Sequence, residues 1–86
     1  MAKKVIDGYL AKQIFKSDGK REETLLGVAF SEYDARDIIE DNCKYYSESP
    51  FEYSVSKIDN GIAFTKNRGN EVIMYTIEEV CVISNG

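Results

Sequence analysis

Leu25-Leu26-Gly27-Val28-Ala29-Phe30-Ser31-Glu32-Tyr33-Asp34-Ala35-Arg36-Asp37-Ile38-Ile39 is the stretch on which the fold turns, because the hydrophobic period changes within it. The run Thr24 to Phe30 is apolar and short, as in a strand. Ser31-Glu32-Tyr33-Asp34 has the form of a capping box: Ser31 is placed to accept from a free first-turn amide, and Asp34 to reach back. Beyond it Ala35, Ile38, Ile39, Asn42, Cys43 and Tyr46 recur at spacings of three and four, while Glu32, Arg36, Asp37, Glu40, Asp41 and Lys44 take the other side. This predicts a helix with one packed and one solvated face, ending before Pro50, whose ring disfavours helical angles in the preceding residue.

Upstream, Lys4 to Lys16 reads as a long strand. Period two puts Ile6, Leu10 and Ile14 on one face and Val5, Tyr9, Ala11 and Phe15 on the other, with Gly8 marking a bulge or bend. Asp18-Gly19 supplies a hairpin turn to the next strand. Downstream, Phe51, Tyr53 and Val55 alternate with Glu52, Ser54 and Ser56, predicting a strand with one buried face. Turn signals at Asp59-Asn60-Gly61 and Asn67-Arg68-Gly69-Asn70 separate it from Ile62 to Lys66 and from the run Val72 to Ser84, with a break expected near Glu78-Glu79. The reading is one α+β domain over residues 1–86: an antiparallel sheet of about five strands, order β-β-α-β-β-β, with one amphipathic helix on one face. A single helix covers one side of a sheet, so the other is solvated, closed into a partial barrel or buried against another molecule. Tyr9 and Phe15 are its expected occupants.

The 86 residues include no His, no Trp, one Pro and two Cys, with a net charge of −4. Without imidazole there is no Ser-His or Cys-His catalysis, and two cysteines cannot make an all-thiolate zinc site within one chain. Glu78 and Glu79 are adjacent, and on a regular strand they face opposite ways, so they do not form an acid–base pair. Asp34, Asp37 and Asp41 share a helical side, but no folded, carbonyl-rich loop accompanies them as a calcium site requires. We therefore expect no enzymatic activity, no cofactor and no metal. Cys43 and Cys81 read as small buried hydrophobes, reduced in an intracellular setting. No apolar run reaches the roughly 20 residues that span a bilayer, and the start lacks the apolar core of a signal peptide, so no membrane association and a cytoplasmic location are expected.

Charge is unevenly distributed. Residues 1–21 hold six basic against two acidic side chains, whereas residues 31–52 hold seven acidic against two basic. The basic segment with Tyr9 and Phe15 lacks a second basic element, and the chain is acidic overall, which disfavours direct nucleic-acid binding. The acidic helix can steer and hold a basic partner protein. Tyr33, Asp37, Glu40, Asp41 and Tyr45 are the expected contacts, since tyrosine joins a large apolar area to a hydrogen-bonding tip. The competing account is a merely solvated face, with Glu32–Arg36 and Glu40–Lys44 as ordinary i, i+4 pairs.

At Leu25 to Ser31 followed by Ala35, Ile38 and Ile39, and again at Tyr75-Thr76-Ile77-Glu78-Glu79-Val80, the chain resembles small uncharacterised proteins of phages and mobile elements. The resemblance implies an accessory protein, of a class that includes stoichiometric inhibitors of host defence proteins, and carries no catalytic residue. The function expected is thus a non-enzymatic protein-binding module, with homodimerisation through the uncovered sheet face or an edge strand as a further expectation. The alternative is a small-molecule or nucleotide binder, with a pocket at the helix–sheet or dimer interface and Arg36, Arg68 or the amino-terminal lysines for an anion.

Overall fold

The structure, a computed structural model, describes residues 2–85, with side chains for residues 8–80. β1 (Ala2–Ser17), β2 (Lys20–Ala29), α1 (Glu32–Ser47), β3 (Tyr53–Ile58), β4 (Gly61–Lys66) and β5 (Val72–Asn85) follow in that order. They form a five-stranded antiparallel sheet, β2-β1-β5-β4-β3, with α1 across one face. The expected class and element order are found. The sheet order adds what period alone does not specify: β1 lies between β2 and the last strand, β5.

Local chemistry accounts for each joint. Asp18 and Gly19 both take positive φ, at 48° and 80°, the signature of a two-residue turn whose twist matches that of its flanking strands. Ser31 is extended and its Oγ accepts from the Asp34 amide at 3.1 Å, a cap that contributes about 1 kcal/mol. The reciprocal half of the capping box is not formed among the described residues. Glu48 closes the helix, its amide donating to the Lys44 carbonyl at 2.9 Å.

Ala35, Ile39 and Cys43 are the buried residues of α1; Ile39 and Cys43 pack with Ala11, Tyr53, Phe64, Ile73 and Tyr75, and Phe15, Leu26, Ile38, Tyr46, Ile62 and Ile77 pack around them. Full burial of side chains such as Phe64 and Ile73 contributes about 1.5–3 kcal/mol each. Phe15 pairs in register with Ile73, and Tyr9 lines a cleft beside Ile39 and Cys43, so both lie on the helix side. This corrects their expected place on the uncovered face. The helix takes that side because β1 and β2 offer small residues there: Ala11 is fully buried, and a methyl group at Gly27 would stand 3.1 Å from Ile38 Cδ1. The uncovered face holds Leu25, more than half exposed, and Lys12, which bridges Glu23 of β2 at 3.5 Å and Glu78 of β5. The hydrogen bond to Glu78 raises the Lys12 pKa.

Three further expectations are corrected. β5 runs unbroken through Glu78 and Glu79, each of which reaches solvent from its own face; the irregularities lie in β1, between Ile6 and Gly8 opposite β5, where a bulge was expected, and between Ala11 and Lys12 opposite β2. Of Phe51, Tyr53 and Val55 only Tyr53 is buried, because Phe51 precedes the strand and Val55 sits on the sheet edge beyond the helix. Lys44 approaches Asp41 at 3.8 Å rather than Glu40, while Arg36 pairs with Glu32 at 2.9 Å as expected. Cys43 is buried, which raises its thiol pKa; the side chain of Cys81 lies outside the described residues.

The long pair β1–β5 outruns both neighbours. β2 pairs with β1 only from Tyr9 onward, and β4 pairs with β5 only up to Thr76, whereas the β1–β5 ladder continues to Ala2 opposite Asn85. Residues 2–8 and 80–85 therefore form a two-stranded arm. It gives the molecule extents of 53 × 26 × 18 Å and a radius of gyration of 15.2 Å, against about 12 Å for a compact chain of this length.

Candidate functional site

The outward side of α1 carries Tyr33, Asp37, Asp41 and Tyr45 at intervals of four residues. Each four-residue step advances about 40° around a helix of 3.6 residues per turn, so the four form a stripe winding over roughly 18 Å of the axis. Tyr33 and Tyr45 are 75% and 63% exposed, and Asp37 and Asp41 lie in water between them. Among the described residues Asp37 has no ion-pair partner, and Asp41 has only the long contact to Lys44. Glu40 stands apart from this stripe, on the flank of the helix that overlooks a cleft. The structure thus brings Tyr33, Asp37, Asp41 and Tyr45 together and sets Glu40 at their edge.

Tyr45 differs from Tyr33 in being held. Its ring meets Tyr46 edge-on at 5.3 Å and Tyr53 at 6.4 Å, and Tyr46 meets Tyr53 at 4.9 Å, the edge-to-face geometry that aromatic quadrupoles favour. The cluster leads inward to Phe64 and Tyr75, whose hydroxyl donates to the Asn42 carbonyl at 3.3 Å. A contact surface fixed in this way loses less side-chain entropy on binding. Phe51 and Val55, 95% and 62% exposed, extend the apolar surface at the carboxyl end of α1. Sequence period places both on a buried face, so they are absent from the expected contacts. The signal that finds them is position: the loop after Pro50 and an outermost strand lie beyond the reach of a single helix.

Burial raises the pKa of Tyr46, Tyr53 and Tyr75, most for Tyr75, which has no exposed surface. The native state therefore keeps protons that the unfolded chain releases above the ordinary tyrosine pKa near 10. Stability should be independent of these groups below about pH 10 and fall as pH rises further, since there the folded state binds more protons than the unfolded state. Denaturant midpoints measured from about pH 8 to 11 check this, the ordinary tyrosine value lying inside the window. A flat profile across the whole range would contradict it.

Two adjoining clefts run along one flank of α1, where it faces β3 and β4, and Glu40, Cys43 and Ile62 line both. One, of about 590 Å³, lies between the first half of α1, the β3–β4 turn and the base of the arm, with Ile39, Ile58 and Ile77 among its apolar walls. Glu32, Glu40, Asp59 and Glu79 give it four carboxylates against Arg36 and Lys57. The other, of about 380 Å³, is bounded by Tyr46, Pro50, Tyr53, Val55 and Phe64. Of the expected anion-binding candidates, Arg36 reaches the larger cleft and Arg68 does not line it, while the side chains of Lys3 and Lys4 lie outside the described residues.

No helix among the described residues is long and apolar enough to cross a membrane. Comparison with known proteins finds no matching family model, no matching curated relative and no matching solved structure.

Proposed function

We propose that the protein is a non-enzymatic binding module that occupies a basic surface of a partner protein with the outward side of α1. The observation that carries this reading is the stripe in which two exposed tyrosines bracket Asp37 and Asp41. Large aromatic side chains, tyrosine among them, are enriched at interface hot spots, and exposed carboxylates speed encounter with a basic surface. The resemblance to phage and mobile-element proteins makes a bacterial host protein, such as a defence component, the partner to seek, with the module acting by stoichiometric occlusion inside the host cell.

The test is capture of partners from nuclease-treated bacterial lysate by the tagged wild type and by Asp37→Lys/Asp41→Lys. Both substitutions sit on solvent-facing turns of α1, so the melting temperature should be unchanged while the captured partner is lost. Equal recovery of the same partner by both proteins would refute the acidic-stripe reading.

The larger cleft favours a second reading, a small-molecule site, since its volume falls in the usual range for ligand pockets. Its chemistry does not suit a nucleotide: carboxylates outnumber cations, and the Arg36 guanidinium is already on Glu32 at 2.9 Å. A neutral or cationic ligand fits better, and a rise in melting temperature with excess ligand would reveal it.

A further inference from the structure

The arm and the larger cleft are complementary parts of one chain. Two-stranded ribbons are at best marginally stable alone in water. Yet among the described residues β1 has no paired strand on its outer edge over residues 2–8, and β5 has none beyond Ile77. Its residue types are apolar at successive register positions: Val5 stands opposite Val82, and Ile6 opposite Cys81. Toward the tip the charge is wholly basic, from Lys3 and Lys4. The cleft has the opposite character, with isoleucine walls and an excess of carboxylates, of which Asp59 and Glu79 have no ion-pair partner among the described residues.

Position completes the match. Tyr9 and Glu79, paired in register at the base of the arm, are themselves walls of the cleft. A two-fold axis through the arm near Ile6 lays Lys4 of one copy, with Lys3 just beyond it, beside Tyr9 and Glu79 of the other, because Lys4 and Tyr9 stand opposite Ile83 and Glu79, each two positions along β5 from Cys81, the partner of Ile6. The same operation lays the second tip on the first cleft, so both arms and both clefts are used and the assembly closes. We propose that the protein forms a two-fold dimer by arm exchange, the basic tip of each arm seated at the acidic cleft of the other copy. This goes beyond the partner-binding reading and leaves the outward stripe of α1 free, since Tyr33, Asp37, Asp41 and Tyr45 do not line the cleft.

Sedimentation velocity of the full chain, up to high micromolar concentration, tests it with three variants: Lys3→Glu/Lys4→Glu, Asp59→Lys/Glu79→Lys, and all four substitutions together. Asp59 and Glu79 are exposed, and circular dichroism checks that each variant keeps the fold. The wild type should dimerise. Each double reversal should weaken association by about tenfold or more, as close charge pairs at interfaces do, and the quadruple variant should recover much of it. A monomeric wild type overturns the proposal and leaves the cleft to a different occupant. Dimerisation unaffected by either reversal, or a quadruple variant no better than the doubles, also overturns it. Neither reversal touches the α1 stripe, so failure here is distinguishable from failure of partner capture.

Discussion

Phe64→Ala is expected to remove a large share of the folding free energy. The side chain is 1% exposed at the centre of the core, against Tyr46 at 5.7 Å and Tyr75 at 6.1 Å between ring centroids. Truncating a buried phenylalanine costs about 3–5 kcal/mol, the lost transfer energy plus the cavity left behind. A domain of 86 residues has only about 4–13 kcal/mol in total at ordinary per-residue stability. Urea unfolding followed by circular dichroism should show a sharply lowered midpoint with the slope retained, or no folded baseline at all. A loss below about 1 kcal/mol would mean that this position is not the core. The same substitution loosens the ring cluster that holds Tyr45, so partner binding should weaken in whatever fraction stays folded.

Gly61→Ala should be as damaging for a different reason. A methyl group there would stand 1.7 Å from the Tyr75 carbonyl oxygen and 2.8 Å from its carbon, an overlap with the β5 backbone that no rotamer change relieves. Gly61 opens β4 opposite Thr76, and the adjacent Ile77 amide donates to the Asn60 carbonyl at 2.8 Å. To admit the methyl group, β4 must separate from β5 at the end of their ladder, taking the β3–β4 turn with it. We expect a loss of about 3 kcal/mol or more, the upper end for overpacked sites. Gly19→Ala is the control: nothing lies within 4 Å of the added carbon, so only the left-handed φ of 80° opposes it, at about 1–2 kcal/mol. Thermal melts that rank Gly61→Ala no lower than Gly19→Ala would contradict the close β4–β5 approach.

What the sequence made legible was local. The Asp18-Gly19 turn, the Ser31 cap and the inner stripe Ala35–Ile39–Cys43 each follow from neighbours within a few residues, and each is present. Strand order is non-local: nothing near β1 says that it pairs with the last strand as well as with β2. The side on which the helix sits was misread because both faces of β1 are apolar, and bulk at Tyr9 and Phe15 drew attention away from the small residues Ala11 and Gly27 that admit the helix. For the site, exposure of Tyr33 and Tyr45 follows from helical period alone. The tethering of Tyr45 to Tyr53 and the apolar extension at Phe51 and Val55 depend on where the β3 edge falls, which period does not encode. The cleft beside Glu40 is walled by elements distant in sequence, α1, the β3–β4 turn and β5, and was equally out of reach.

The most direct measurement is calorimetric titration of the captured partner, at low and at high salt, with the wild type, Asp37→Lys/Asp41→Lys and Tyr33→Ala/Tyr45→Ala. If the outward stripe of α1 is the binding surface, the wild type binds one to one and weakens with salt. The charge reversal then abolishes measurable binding, and loss of the two tyrosines costs about 2 kcal/mol or more, as truncated hot spots do. Wild-type affinity retained by both variants at both salt concentrations would place the contact elsewhere on the molecule and refute the central role assigned to α1.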